Sequence, residues 1–166
     1  MSRTKIEVYE YLYEFAFVET KKAAAGVAPD KRLHQVKPGG AHPLWLLGHL
    51  TFSTDAIVNA ILLGGEMTLP EQYQRVFAPA LIGGDAIVPE AAAYPSWDDI
   101  AANYARVSAT TLDLLKRVQD GDLPGGTKGT TPPGFADFFK SFEIVLRYML
   151  QHDAYHRGQM MALANA

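Results

Sequence analysis

Apolar residues recur at intervals of three and four positions in four stretches of this 166-residue chain. That spacing places them on one face of an α-helix, whereas a half-buried strand requires strict alternation. The predicted helices are residues 3–25, 43–63, 96–121 and 135–163. Amphipathic helices must bury their apolar faces against one another. We therefore predict an all-α fold, a four-helix bundle, that occupies residues 1–166 as a single domain.

A long connection, residues 64–95, separates the second and third predicted helices. It contains Pro70, Pro79, Pro89, Pro95 and the pair Gly83-Gly84, which exclude a continuous helix. Long connections in compact domains are often functional, or they cross from one end of a bundle to the other. We therefore predict a long crossover loop between helices 2 and 3.

The first predicted helix carries two apolar strips. One consists of Ile6, Tyr9, Tyr13, Ala16 and Phe17, and the other of Val8, Leu12 and Phe15. A helix on the surface of a single core needs only one apolar stripe. The second strip indicates a second buried surface, and we expect another subunit to cover it in a homodimer.

The composition excludes several classes of partner. A formal net charge of −3 without a long basic run argues against nucleic acid or an anionic membrane. The chain has no cysteine, so disulfides, thiolate metal ligands and a cysteine nucleophile are excluded, and a reducing compartment suits it. The most apolar stretch, residues 44–63, is interrupted by polar residues that would face lipid in a membrane-spanning helix, so we do not expect it to span a bilayer. The N-terminus lacks the apolar run of a signal peptide, and we expect a cytoplasmic protein.

Two histidines lie on the apolar stripe of the fourth predicted helix. The stripe consists of Phe138, Phe142, Val145, Met149, His152, His156, Gln159 and Leu163. Because His152 and His156 are four residues apart, their rings lie one turn apart on the same face. His49 lies on the apolar face of the second helix, between Trp45 and Phe52. Two ligands from one helix and one from a facing helix is a common way to build a metal site inside a bundle.

The competing interpretation is that each histidine is an ordinary core residue with one hydrogen bond. Three such rings on two helices are harder to explain in that way, because each buried ring without partners costs on the order of 1–3 kcal/mol. A shared ion would satisfy all three. Three histidines also leave one coordination position open, which is typical of catalytic metal sites.

Several neighbouring residues have two interpretations. Trp45, Phe52 and Met149 either line a pocket at the metal or are ordinary core residues. Asp55 and Glu143 are candidate partners of a ligand or candidate bases, but we interpret each as a solvated carboxylate. We interpret Asp153 and Arg157 as surface or interface charges, His34 and His42 as solvated residues with His42 a possible helix cap, and residues 125–130 as a flexible glycine-rich linker.

Three motifs resemble one known family. They are Trp45-Leu46-Leu47-Gly48-His49-Leu50, Tyr94-Pro95-Ser96-Trp97-Asp98-Asp99 and His152-Asp153-Ala154-Tyr155-His156-Arg157-Gly158-Gln159. In order and spacing the chain resembles the DinB/YfiT-like superfamily of metal-dependent proteins. The resemblance implies a four-helix bundle, often homodimeric, with His49, His152 and His156 as metal ligands. It implies one divalent ion, zinc or nickel, and histidine ligation also tolerates iron.

The resemblance leaves several functions open. Characterised relatives include thiol-dependent enzymes such as mycothiol-dependent maleylpyruvate isomerase and bacillithiol transferases. By this resemblance we expect a metal-dependent enzyme, a thiol-dependent S-transferase or isomerase, that takes a small-molecule substrate and a low-molecular-weight thiol cofactor. One alternative is metal-assisted hydrolysis with Asp55 or Glu143 as base. Another is a non-enzymatic dimeric metal-binding protein of the stress response.

Overall fold

The structure is a computed structural model and describes residues 4–166. Within this range it is all-helical, as predicted. The α-helices are α1 Lys5–Ala25, α2 Pro43–Ser53, α3 Glu71–Phe77, α4 Trp97–Leu115 and α5 Phe142–Ala164, and α2 continues as a π-helix over Thr54–Leu62. Arg3, the predicted start of the first helix, lies outside the described residues. None of the helices in residues 4–166 has the length and apolar character needed to cross a membrane.

The helices α1 and α2 pack against the same two helices. Each of the two packs against both α4 and α5. The predicted inner strip of α1, Ile6, Tyr9, Tyr13, Ala16 and Phe17, is buried as expected. The outer strip is exposed, with Val8 at 42%, Leu12 at 38% and Phe15 at 52% of full exposure. A partner subunit on this outer strip stays a prediction.

Side chains cap the N-termini of the long helices. Thr4 and Glu7 form a reciprocal capping box at the start of α1. Ser96 accepts a hydrogen bond from the Asp99 backbone N–H at 3.1 Å, which confirms the predicted start of α4. These caps satisfy donors that would otherwise have no partner in the first turn.

His42 is a cap rather than a solvated residue. Its Nδ1 accepts from the backbone N–H of Trp45 at 3.1 Å, and its Nε2 donates to the carbonyl of Val88 at 3.1 Å. The ring is fully buried, and that burial lowers its pKa. The expectation that His42 is solvated was therefore wrong, because the ring joins the start of α2 to the crossover. His34 is half-buried.

The long segment between α2 and α4, which the sequence predicts to be a crossover, is fixed to other helices at several points and contains α3. Both carboxylate oxygens of the fully buried Asp55 accept hydrogen bonds from this segment: Oδ1 accepts from the Thr68 hydroxyl at 3.2 Å, and Oδ2 accepts from the backbone N–H groups of Thr68 at 2.7 Å and Leu69 at 2.9 Å. Arg106 of α4 donates to the Thr68 hydroxyl at 2.6 Å. The interpretation of Asp55 as a solvated carboxylate was wrong, because its oxygens hold this segment.

The last helix begins later than its periodicity predicts. It begins at Phe142 rather than Phe135, and Ser141 caps it by accepting from the Ile144 backbone N–H. The first two N–H groups of α5 donate to carbonyls of Gly125 and Leu123 at 2.7 and 3.1 Å. These bonds occupy the donors that an earlier helical turn would use.

The glycine-rich segment 125–130 is held in place rather than being a free linker. The backbone N–H groups of Lys128 and Gly129 donate to the carbonyls of Leu62 and Ile61, at the end of the π-helix. A Cβ on Gly129 would lie 2.1 Å from the carbonyl oxygen of Ala60, so this close approach requires glycine.

Asp153 is buried in the core, although the sequence places it beside the apolar stripe of α5 as a surface or interface charge. It is 6% exposed and accepts hydrogen bonds from Thr20 at 2.8 Å and Tyr104 at 3.0 Å, and it pairs with Arg157 at 3.0 Å. Arg157 also donates to the Ala16 carbonyl of α1. Burial raises the pKa of Asp153, against the opposing effect of these partners. The two residues are not surface charges, because they join α5 to α1 and α4.

Candidate metal centre

The rings of His49, His152 and His156 meet between α2 and α5. One ring nitrogen of each lies within 4.8 Å of the other two. The ring centroids of the three pairs are 4.5 to 5.0 Å apart. His49 is buried, and the other two rings are half-buried at the edge of the α5 core stripe. The structure thus brings together the three residues that the sequence selects, and their donor set suits a divalent metal ion.

His49 is oriented by the crossover. Its Nδ1 lies 2.9 Å from the carbonyl oxygen of Phe77, the last residue of α3. A carbonyl only accepts hydrogen bonds, so Nδ1 carries the proton and Nε2 keeps its lone pair. Trp45 stacks on the ring at 4.7 Å with an interplanar angle of 6°, and its indole N–H donates to the carbonyl of Val76 at 2.9 Å.

The close packing of α3 against α2 requires glycine at position 48. A Cβ at this position would lie 2.1 Å from the Phe77 ring. Phe77 is fully buried and packs on the rings of Tyr73 and Tyr94. The ring therefore has little room to move, and the position of the Phe77 carbonyl depends on glycine beneath it.

His156 is oriented by its own helix. Its Nδ1 lies 2.7 Å from Oε1 of Gln159, and Nε2 of Gln159 donates to the hydroxyl of Tyr155 at 3.1 Å. Since the amide oxygen accepts, the Nδ1 of His156 carries the proton and its Nε2 also keeps a lone pair. Outer partners of this kind are usual for histidines that bind metals.

His152 has a different environment. Its Nε2 lies 3.0 Å from Nε2 of His49, and its Nδ1 is buried without a hydrogen-bond partner. Two nitrogens bound to one zinc ion at tetrahedral angles lie roughly 3.3 Å apart. These two nitrogens are therefore close to the separation that a shared ion requires. His49 and His156 are in the Nδ1–H tautomer, which leaves Nε2 free to bind a metal. The residues present fit a divalent ion.

Burial keeps all three rings neutral. Desolvation lowers the pKa of His49 to about 4 and that of His152 to about 3, and it also lowers the pKa of His156. His156 in addition lowers the pKa of His49, and His49 and His156 both lower the pKa of His152. Neutral imidazole is the form that binds a metal, so protons compete weakly with an ion at neutral pH.

The predicted pocket residues lie at different distances from the site. Trp45 contacts His49 directly. Met149 and His152 line one small cavity of the core. Phe52 is buried, but it is not among the residues that line this cavity. A pocket role for these three residues stays a prediction.

Neither carboxylate considered as a base is available at the site. The oxygens of Asp55 are engaged by the crossover, as described above. Glu143 accepts from the Tyr9 hydroxyl at 3.0 Å and lies nine residues before His152 on α5. Nine residues of α-helix extend about 13 Å, which is far beyond hydrogen-bond reach.

Sequence reasoning missed the partners that orient the ligands. Gln159 lies on the predicted stripe and in the last motif, so its spacing of three from His156 was a usable signal. Phe77 acts through a backbone carbonyl, for which a sequence holds no signal. Tyr148, whose ring lies 6.3 Å from that of His152, was also missed.

The family model of the DinB superfamily matches residues 12–160, which include His49, His152, His156 and the long connection at residues 64–95. The chain belongs to the DinB superfamily. A search of curated proteins found no match. The matched range includes a histidine cluster that could hold a metal ion, but neither the match nor the cluster defines a reaction.

The metal-free protein should lose stability as the pH falls from 6.5 towards 4. The pKa values of His49 and His152 are lower in the folded state than the usual 6.5, so the unfolded chain binds protons that the folded chain does not. Their contribution is complete above pH 6.5 and is lost as the pH falls through the folded pKa values. At pH 5, proton binding by His49 in the unfolded chain should by itself lower the free energy of unfolding by about 2 kcal/mol relative to pH 7. Urea titrations at pH 7 and pH 5 measure this loss, and an equal loss in His49→Gln would contradict the assignment.

Substitution of Gly48 should disturb His49 without touching it. In Gly48→Ala the new methyl group displaces the Phe77 ring, and overpacking of this kind costs about 1–3 kcal/mol. The Phe77 carbonyl moves with its ring, so metal affinity should fall as well. Metal titration and thermal unfolding of the same variant measure both effects.

Gly158→Ala is the matched control for this substitution. Gly158 lies inside α5 with open space around an added Cβ, so alanine should stabilise the helix by about 0.5–1 kcal/mol and leave metal affinity unchanged. Equal metal affinity in both alanine variants would contradict the role of Gly48.

Proposed function

We propose that this DinB superfamily protein is a metal-dependent enzyme whose single divalent ion, zinc or nickel with iron tolerated, is held by His49, His152 and His156. The observation that carries the proposal is the convergence of three neutral imidazoles, with the Nε2 atoms of His49 and His152 3.0 Å apart. We further propose that the protein is cytoplasmic. We also propose that its fold is a four-helix bundle in which the segment between α2 and α4 is the crossover.

The donor set favours catalysis over a purely structural role. Three protein ligands leave a coordination position open, whereas structural zinc sites are usually closed by four. A divalent ion on neutral imidazoles keeps its full positive charge and supplies a Lewis-acidic position for an anionic ligand such as a thiolate. Because the chain has no cysteine, that thiol would come from a low-molecular-weight cofactor.

The residues of the chain would prepare the site for such a reaction. The Phe77 carbonyl and Gln159 hold the proton on the Nδ1 atoms of His49 and His156, which leaves the opposite nitrogens free. Trp45 covers one face of His49 and excludes water from it. Tyr148 and Tyr155, which are 48% and 63% exposed, lie beside the half-buried ligands and form an aromatic rim suited to an apolar small-molecule electrophile. These features favour a thiol-dependent S-transferase or isomerase.

Elemental analysis of purified protein is the first test. We expect about one metal ion per chain in wild type and in the control His34→Ala, since His34 lies outside the cluster. His49→Ala and His152→Ala should lose metal affinity by more than about 100-fold, beyond the 10–100-fold that loss of an outer partner causes. Wild-type protein that stays free of metal after incubation with zinc and nickel would exclude the proposal.

A turnover screen then separates the functions that a metal site allows. Metal-loaded wild type is incubated with electrophiles and several low-molecular-weight thiols, with His152→Ala as the inactive control. Conversion that requires both metal and thiol supports the proposal. Conversion without thiol would identify a hydrolase. No conversion, together with a large loss of thermal stability on chelation, would identify the metal as a structural element.

We also propose that the outer strip of α1 forms a homodimer interface. Val8 and Leu12 line a groove with Leu150 and Gln151 of α5, and Phe15 is half-exposed beside them. Exposed apolar surface of this kind is typical of interaction sites. Phe15→Lys should weaken self-association by about tenfold or more in sedimentation equilibrium, as loss of an aromatic anchor does. The control Val36→Lys, in a loop outside this groove, should have no effect, and monomeric wild type would contradict the proposal.

A further inference from the structure

We propose that Gln159 and Tyr155 are positioning residues that set the affinity of the site through His156. The inference rests on the metal site proposed above and goes further, because it assigns the strength of one ligand to two residues that do not touch the ion. Both lie on α5, within one turn of His156.

The hydrogen bonds form a chain with one direction. The Nδ1–H of His156 donates to Oε1 of Gln159 at 2.7 Å, and Nε2 of Gln159 donates to the Tyr155 hydroxyl at 3.1 Å. Because the Tyr155 hydroxyl can either donate or accept, the direction is set at the histidine: with Nε2 of His156 free to bind an ion, its Nδ1 carries the proton and the amide oxygen must face it. A reversed amide would place two donors against each other at the histidine.

Tyr155 contributes in a second way. Its ring lies edge-on to the ring of His156, with centroids 5.1 Å apart and an interplanar angle of 70°. The contact limits rotation of the imidazole on the solvent side, where His156 is half-buried. One residue pair therefore controls both the tautomer and the orientation of this ligand.

The other two ligands are held differently. His49 depends on a backbone carbonyl of α3, and His152 has no partner on its Nδ1. Among the three ligands, His156 alone has its Nδ1 set by a side chain. Its basicity is therefore open to tuning by substitution: a neutral amide polarises the imidazole less than a carboxylate would, and outer partners typically change metal affinity by 10–100-fold.

Zinc affinity of a variant series tests this assignment, measured by competition with a chromophoric chelator. Gln159→Ala should weaken zinc binding by about 10–100-fold, and Gln159→Glu should bind at least as tightly as wild type. Tyr155→Phe should cause a smaller loss, because the amide keeps its bond to His156. Gln72→Ala and Gln72→Glu, on the exposed side of α3, are matched controls and should bind like wild type.

A structural effect of the substitution is separable from positioning. Alanine is a better helix former than glutamine, so metal-free Gln159→Ala should unfold at the same temperature as wild type or higher. Long-range ¹H–¹⁵N spectra of histidine-labelled, metal-free protein should show a single Nδ1–H tautomer for His156 in wild type and a mixture in Gln159→Ala. That measurement decides the question even if wild type fails to bind zinc, which would by itself contradict only the proposed function.

Two results would overturn the inference. One is wild-type zinc affinity together with an unchanged His156 tautomer in Gln159→Ala. The other is an equal gain in affinity for Gln72→Glu and Gln159→Glu, which would mean that added negative charge acts without the hydrogen bond.

Discussion

The hydrogen bond from His49 to the carbonyl of Phe77 is the interaction on which the candidate site depends. The last carbonyls of a helix have no partners within it. In α3 two of these, Val76 and Phe77, accept from the side chains of Trp45 and His49 on α2. The free carbonyls at the end of this seven-residue helix therefore accept hydrogen bonds from residues that form one wall of the candidate site. The same hydrogen bonds hold α3 against α2 and orient His49.

The packing of α3 against α2 depends on the absence of a side chain at Gly48. Phe77 lies against the backbone of Gly48 and is enclosed by the rings of Tyr73 and Tyr94. Tyr94 is tied in turn to the crossover backbone at Val88, whose carbonyl also accepts from His42 at the start of α2. The aromatic cluster of the crossover and the first two turns of α2 therefore form one packing unit, and His49 projects from it.

The sequence predicted the parts of the molecule that depend on periodicity. The inner strip of α1 and the cap of α4 followed from local patterns, and so did the convergence of His49 with His152 and His156. What it missed depends on contacts between distant segments. The start of α5 is set by carbonyls of Gly125 and Leu123, and the anchor of His49 is a carbonyl of Phe77. Such backbone groups are the same in every residue and leave no signal. Asp153 was missed because a carboxylate is an improbable core residue unless Thr20, Tyr104 and Arg157 are in place around it.

The placement of Asp153 and Arg157 directly after His152 and His156 has a geometric reason. Consecutive residues of an α-helix point about 100° apart, so the histidines face α2 while their successors face α1 and α4. The buried ion pair and its bonds to Thr20 and Tyr104 fix the rotation of α5 about its own axis. A rotation that moved the histidines away from His49 would break these bonds and leave buried charge unpaired, which is strongly unfavourable. The last motif therefore contains two candidate metal ligands and the residues that align them within the same two turns, and α3 completes the candidate site from the opposite side.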